Sequence, residues 1–196
     1  MNSLRTELLE GLRSSGASDP QRIARAIGGL EVSQGAWRFY SDTFPTGGYD
    51  AWNAAGSPWR DSWGAAGLWA FGEDVFGNQL VLKPGYETPL LWRHENGEVT
   101  DLELELVPLL ETALSDGLDW LDTYADGSLE VFRESGLEPS ETEHLHWTTP
   151  LILGGSVSVA NLTRIERGPH LIGHAELWAQ IGHLPPGTVI VPRGPR

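Results

Sequence analysis

Gly67-Leu68-Trp69-Ala70-Phe71-Gly72-Glu73-Asp74-Val75-Phe76-Gly77-Asn78-Gln79-Leu80-Val81-Leu82-Lys83 decides the fold, because it reads as a β-hairpin closed around an acidic corner. Two short runs rich in β-branched and aromatic residues flank Gly77-Asn78, a pair that takes the positive φ of a tight reversal. Phe71 and Phe76 are the structural apolar residues of this motif, Gly77 and Asn78 its turn residues. Glu73 and Asp74 stand beside Val75 and Phe76, whose burial holds the two carboxylates in place. Neighbours in a strand point to opposite faces. The pair is therefore not expected to share one substrate as acid and base, and is read as satisfying backbone donors at the corner or meeting a partner.

Working outward, Thr88 to His94 reads as a third strand, and Asn96-Gly97 as a tight turn before an alternating run from Val99 to Leu106. Pro108 opens a predicted helix to Ser115, Leu118 to Tyr124 continues it, and a further helical turn is expected near Leu129 to Arg133. Leu151 to Leu153 and Val157 to Leu162 suggest two more strands. His170 to Gly182 suggests a helix with Ala175, Trp178, Ala179 and Ile181 on its buried side, and Thr188 to Val191 a last strand. Upstream, Leu4, Leu8, Leu9 and Leu12 recur at helical spacing, and Asp19-Pro20 caps and opens a second helix carrying Ile23, Ala26 and Ile27. Residues 28 to 66 read as a long irregular connection with one strand at Trp37 to Tyr40. Strands clustered around helices without strict alternation predict an α+β fold with a single, mostly antiparallel sheet and flanking helices.

Phe71 to Gln79 resembles the central hairpin of the SUKH superfamily, the Smi/Knr-type proteins. Trp147-Thr148-Thr149-Pro150-Leu151-Ile152-Leu153-Gly154-Gly155 with Val159-Ala160-Asn161-Leu162 is similar to a late "leucine-Gly-Gly, strand, Asn-Leu" segment of that superfamily. His174 to Ile181 followed by Leu184-Pro185-Pro186-Gly187 resembles its closing helix and terminal strand. The resemblance implies a single SUKH-like domain over residues 1–196, with residues 1–66 as its divergent N-terminal part. It also implies a function, since many bacterial members are immunity proteins that bind and neutralise partner toxins. Others are intracellular scaffold or regulatory proteins.

Composition sets further bounds. A chain of 196 residues, 40% of them hydrophobic, buries a sizeable core in one unit. The absence of cysteine removes disulfides and thiolate nucleophiles and gives no argument for an oxidising compartment, so the cytoplasm is the expected location. No stretch approaches a membrane span. A net charge of -14 argues against a nucleic-acid partner, because phosphate binding depends on Lys and Arg. From Glu95 to Glu143 the only Lys or Arg is Arg133, a distribution suited to steering a basic protein into contact. Asp116, Asp119 and Asp122 lie in this run and are candidate partner-binding residues, together with Glu73 and Asp74.

Five of the nine tryptophans, Trp37, Trp52, Trp59, Trp63 and Trp69, crowd into one stretch. Trp is rich at binding hot spots, and Trp52, Trp59 and Trp63 are predicted as aromatic anchors on a variable loop, with Trp69, Trp92 and Trp178 in the core. His144-Leu145-His146 puts two imidazoles on one face of a strand, but no third ligand is legible, so no metal and no cofactor is expected. His170 and His174 fall one turn apart on the last helix and read as a surface pair. No phosphate loop or nucleophile elbow is present. The chain is thus read as a non-enzymatic module that binds a basic protein, most simply a toxin domain, with a scaffold or regulatory protein as the second reading and a hydrolase using Glu73 or the His144 and His146 pair as the last.

Overall fold

The architecture was read from a computed structural model that describes residues 10, 27–32, 35–45, 47–57, 59–60, 67–83, 86, 88–115, 127–185 and 188. The expected helices at 2–14 and after Asp19, the continuation at Leu118 to Tyr124, the last strand, Trp63, Asp116, Asp119 and Asp122 lie outside these residues, apart from Glu10, Ile27 and Thr188.

The predicted hairpin forms as β3 (Trp69–Asp74) and β4 (Gln79–Leu82), with Glu73 opposite Gln79 and Trp69 opposite Leu82. It lies in the middle of a six-stranded antiparallel sheet whose strands follow chain order: β1 (Glu31–Val32), β2 (Trp37–Phe39), β3, β4, β5 (Leu90–Trp92) and β6 (Val99–Asp101). A register shift between Ala70 and Gly72 bends β3, and Gly72 lets β2 approach closely, since a Cβ there would stand 2.9 Å from the Arg38 carbonyl oxygen. A short helix, α1 (Gly48–Asn53), interrupts what the sequence suggested was irregular chain.

β6 stops earlier than the alternating pattern predicts. Asp101 Oδ1 accepts the Glu103 backbone N–H at 2.8 Å, and Glu103 takes a φ of 55°. That local side-chain bond competes with the ladder and ends the strand. α2 (Leu106–Ser115) then begins two residues ahead of Pro108, which sits in the first turn where its missing N–H costs nothing. α3 (Ser128–Ser135) replaces the predicted single turn.

In place of the single sheet expected, β7 (Glu143–Trp147) and β8 (Leu162–Glu166) form a separate antiparallel pair, because their ladder is only with each other. Between them the strand expected at Leu151 to Leu153 is a 3-10 turn, and a second such turn covers Val159–Asn161. Asn161 ties this loop together: its side chain accepts the Thr149 N–H at 2.8 Å and donates to the carbonyls of Thr149 and Ser156 at 2.9 and 3.0 Å. Gly155 is required there, because a Cβ would fall 1.9 Å from the Thr149 carbonyl oxygen. Gly155 and Asn161 are therefore the staple of this loop. α4 (Arg167–Ile181) follows β8 directly. Its buried stripe is Arg167, His170, Leu171, His174 and Ala175, at helical spacing. Trp178 and Ile181 are half-buried and Ala179 is exposed. Only Ala175 of the four predicted core residues is buried, because two of the positions facing the core are histidines.

The sheet separates two cores. One is largely aliphatic, with Phe39, Phe71, Leu80, Leu82 and Leu91 from the strands against Leu106, Leu109 and Leu110 of α2. The other is aromatic, with Tyr40, Tyr49, Trp52, Trp59 and Trp92 beside Leu171 of α4. Alternation along β4 and β5 sends Leu80 and Leu91 to the first and Val81 and Trp92 to the second. Among the described residues no helix is long and apolar enough to cross a membrane.

Candidate functional site

The acidic corner turns inward. Glu73 is 0% and Asp74 1% exposed, and each is held by a different set of partners, as expected for neighbours on opposite sides of a strand. Asp74 serves the turn: Oδ1 accepts the N–H groups of Phe76 and Asn78 at 2.9 Å, and Oδ2 accepts the Asn78 amide at 2.7 Å. Burial pushes its carboxyl up to about 7, against these three donors, which favour the charged form. Gly77 has a φ of 92° and packs on a histidine, since a Cβ there would lie 2.8 Å from His144 Nδ1. The same glycine thus closes the turn and seats an imidazole.

Glu73 faces the aromatic side. Its Oε1 lies 2.5 Å from Arg167 Nη2, while Oε2 accepts the Tyr40 hydroxyl at 2.8 Å and the Gln79 amide at 3.3 Å. Burial would raise its carboxyl, but Arg167, His144 and the donors override this and hold it at about 2. Burial together with the Glu73 charge keeps the Tyr40 phenol protonated, well above its ordinary value. Gln79 is fixed in turn by the Trp52 indole N–H, which donates to its Oε1 at 3.0 Å, and by donating to the Gly77 carbonyl at 2.9 Å. The Arg167 guanidinium also stacks over the Phe44 ring at 4.6 Å. A buried pair of this kind survives only when its remaining lone pairs and protons are met. Here the Glu73 carboxylate is met at both oxygens, while Arg167 Nη1 is buried with no hydrogen-bond partner among the described residues.

Around this ion pair the chain gathers five of its six histidines, His94 from the end of β5, His144 and His146 from β7, and His170 and His174 from α4. Ring centroids are 4.8 Å apart for the pairs among His94, His170 and His174, and His146 stands 5.0 Å from His170 and 5.4 Å from His174. His94, His170 and His174 are 3%, 1% and 3% exposed, and one nitrogen from each lies within 4.8 Å of the others. Burial lowers the basicity of all five, His174 to about 4, so the cluster is neutral at pH 7. Five neutral imidazoles present lone pairs.

The hydrogen bonds assign several of these nitrogens. Asn78 Oδ1 accepts the His94 backbone N–H at 3.1 Å, so it is the oxygen of that amide that faces His94, and the ring Nδ1 at 2.9 Å must carry the proton. That leaves His94 Nε2 bare. His144 Nε2 lies 3.1 Å from Glu73 Oε2 and 3.1 Å from Arg167 Nε, while its Nδ1 lies 3.1 Å from His170 Nδ1. With the proton on His144 Nε2 and donated to Glu73, His144 Nδ1 accepts from His170 Nδ1, and His170 Nε2 is bare. Bonding to Arg167 instead moves each proton one place and puts one on His170 Nε2. His174 Nε2 lies 3.4 Å from His146 Nδ1. His170 Nε2 and His174 Nδ1 are buried with no hydrogen-bond partner among the described residues, and each such orphan costs about 1–3 kcal/mol unless something meets it.

The other expected site residues fall elsewhere. Trp52 and Trp59 are buried in the aromatic core; the Trp59 indole donates to the Trp52 carbonyl at 2.7 Å, and its ring packs edge-on against Trp92. An exposed aromatic anchor is not provided by these two, because α1 carries Trp52 into the interior. Glu73 and Asp74 likewise have no surface to offer a partner. His144 and His146 do share a cluster, but the triangle that could hold an ion consists of His94, His170 and His174. The i, i+4 spacing of the last two was visible in the sequence; the convergence of β5 and β7 on them was not. No protein-family model and no curated protein matches this chain.

Proposed function

We propose that this chain is a non-catalytic protein-binding module whose partner is a basic protein, and that its role is that of an immunity protein neutralising a toxin domain. The observation that carries this reading is the charge pattern. Within the run from Glu95 to Glu143, Asp101, Glu103, Glu130, Glu134, Glu138 and Glu141 are all exposed. The net charge of -14 extends the field beyond these residues.

The apolar part of the contact lies on the stapled loop and not on Trp52 or Trp59, which are buried. Ile152, Leu153, Val157 and Val159 are 37–43% exposed, and α3, which carries Glu130 and Glu134, packs against the Val159–Asn161 turn. Aliphatic anchors thus adjoin acidic side chains on one face, an arrangement of apolar centre and polar rim suited to a partner with a cationic surface. The resemblance of Phe71 to Gln79 to the SUKH hairpin supports the same reading.

The test is direct. The purified chain is titrated with the product of a neighbouring reading frame that encodes a secreted toxin, and toxin activity is followed in parallel. A one-to-one complex that weakens with salt and is lost in Ile152→Asp and Val159→Asp is expected. Absence of a complex, or a complex unmoved by both substitutions, would overturn the reading. Recovery of an endogenous partner in its place would assign the chain to the regulatory branch.

A further inference from the structure

Protein binding at the acidic face uses none of the histidines. We infer that His94, His170 and His174 form a binding site for a divalent transition-metal ion of the zinc class. Three imidazole nitrogens without cysteine suit zinc and its borderline neighbours, while magnesium and calcium prefer oxygen ligands.

Three independent features converge on this site. The first is position: two ligands one turn apart on α4 meet a third at the end of β5, all buried, with candidate atoms within 4.8 Å of one another. A tetrahedral ion with Zn–N bonds of about 2.0–2.1 Å needs its nitrogens about 3.3–3.4 Å apart, so small ring rotations close the triangle. The second is need. His170 Nε2 and His174 Nδ1 are buried without a partner among the described residues, and an ion satisfies both. An ordinary core histidine would have its nitrogens paired, as Asn78 pairs His94 Nδ1.

The third is support behind the ligands. Metal-bound histidines commonly donate their far N–H to a fixed acceptor, which sets the tautomer and the ring plane. His94 donates Nδ1–H to Asn78, itself anchored by Asp74. His170 reaches Glu73 through His144. Binding of the ion at His170 Nε2 selects the proton arrangement in which His144 donates to Glu73. His174 Nε2 donates to His146 in the same state. The acidic corner, Gly77 against His144 and Asn78 against His94, thus becomes the frame that aims the ligands. Glu73, Asn78 and His144 are positioning residues here, not ligands.

The experiment uses the full chain without a polyhistidine tag. Zinc is titrated against a chromophoric chelator, and ring nitrogen shifts of the histidines are followed by NMR in the unmutated protein. One equivalent should bind per chain, moving His94 Nε2, His170 Nε2 and His174 Nδ1 and leaving His183 in place. The thermal midpoint should rise with free zinc, as ligand linkage requires. His174→Ala should lose more affinity than the roughly 10–100-fold typical of supporting residues, and Glu73→Gln should lose about that 10–100-fold. His183→Ala should bind as the parent does. Because the NMR titration needs no variant, misfolding of a mutant cannot mask the answer. No zinc uptake at one equivalent, shifts confined to His183, or unchanged affinity in His174→Ala would each overturn the site.

Discussion

The hairpin corner and the exposed acidic residues between Asp101 and Glu141 use the same functional group in opposite ways. At the corner Glu73 and Asp74 are stripped of water and every neighbour answers them, Arg167, Tyr40, Gln79 and His144 for one, two backbone N–H groups and Asn78 for the other. In the exposed set Glu103, Glu130, Glu134 and Glu141 stand in water. The buried pair organises the molecule and cannot meet a partner; the exposed set adds little to the fold and is free to act at long range. Carboxylates in one chain are therefore not equivalent nominees for a binding site, and burial is what sorts them.

The largest expected break comes at Glu73. Glu73→Leu leaves the Arg167 guanidinium buried without its counter-ion and should cost about 3–5 kcal/mol of stability, read as a fall in the denaturant midpoint. Glu73→Leu with Arg167→Met removes both charges and should recover most of that loss. If the single and double variants were equally unstable, the contacts of Glu73 with Tyr40 and Gln79, and not the ion pair, would govern this corner. Asp74→Ala comes next, because it orphans the Phe76 and Asn78 N–H groups at about 1–3 kcal/mol for each that water cannot reach. Gly77→Ala should cost a further 1–3 kcal/mol or so through the positive φ alone, and its Cβ would also press on the His144 ring.

Acid separates the two regions in another way. The metal-free histidines are held below their ordinary value of about 6.5, His174 at about 4, so the unfolded chain binds protons that the folded chain refuses. Their stability contribution is complete above pH 6.5 and is lost as pH falls through each lowered value, about 4 for His174. Asp74 works in the opposite sense. Raised to about 7, it takes up a proton on folding and favours the folded state as pH drops below 7. Asp74 therefore offsets part of what the five lowered histidines lose. Unfolding free energy measured from pH 7 to 4.5 should fall, and fall more steeply in Asp74→Asn, which removes the offset. Glu73 adds its own loss only below pH 4.5, as its carboxylate at about 2 begins to be challenged. A flat profile would show that the histidine cluster is not neutral and buried as described.

Sequence patterns reached one side of this comparison more easily than the other. The hairpin was legible because Gly77-Asn78 and the flanking runs are local signals, and the β7 strand placed His144 and His146 correctly on one face. Asp74 was legible as a partner for corner donors. Trp52 and Trp59 were misplaced, since a six-residue helix in a Gly- and Pro-rich stretch carries too short a period to read and its packing on β3 is a tertiary event. The stripe on α4 was misread because helical spacing was scored on apolar residues, while His170 and His174 occupy the inward positions. The histidine triangle needed the end of β5 and α4 together, and the wider cluster needed β7 as well. A register between distant segments leaves no trace in any one of them.

The smallest effect on the fold belongs to the exposed carboxylates. Glu130→Gln with Glu134→Gln removes two charges from water, where neither is needed for packing, so stability should change by no more than about 0.5 kcal/mol. Association with a basic partner should nevertheless slow, by a factor that shrinks as salt is raised, while dissociation stays nearly constant, because long-range charge acts on encounter. Ile152→Asp should do the reverse, leaving encounter almost untouched and speeding dissociation by removing an apolar contact. Stopped-flow binding at two salt concentrations distinguishes the pair. If the two glutamines left the association rate unchanged at low salt, α3 would lie outside the contact and the steering field would come from the rest of the acidic surface; if they lowered stability as Glu73→Leu does, the division between inward and outward carboxylates would itself be wrong.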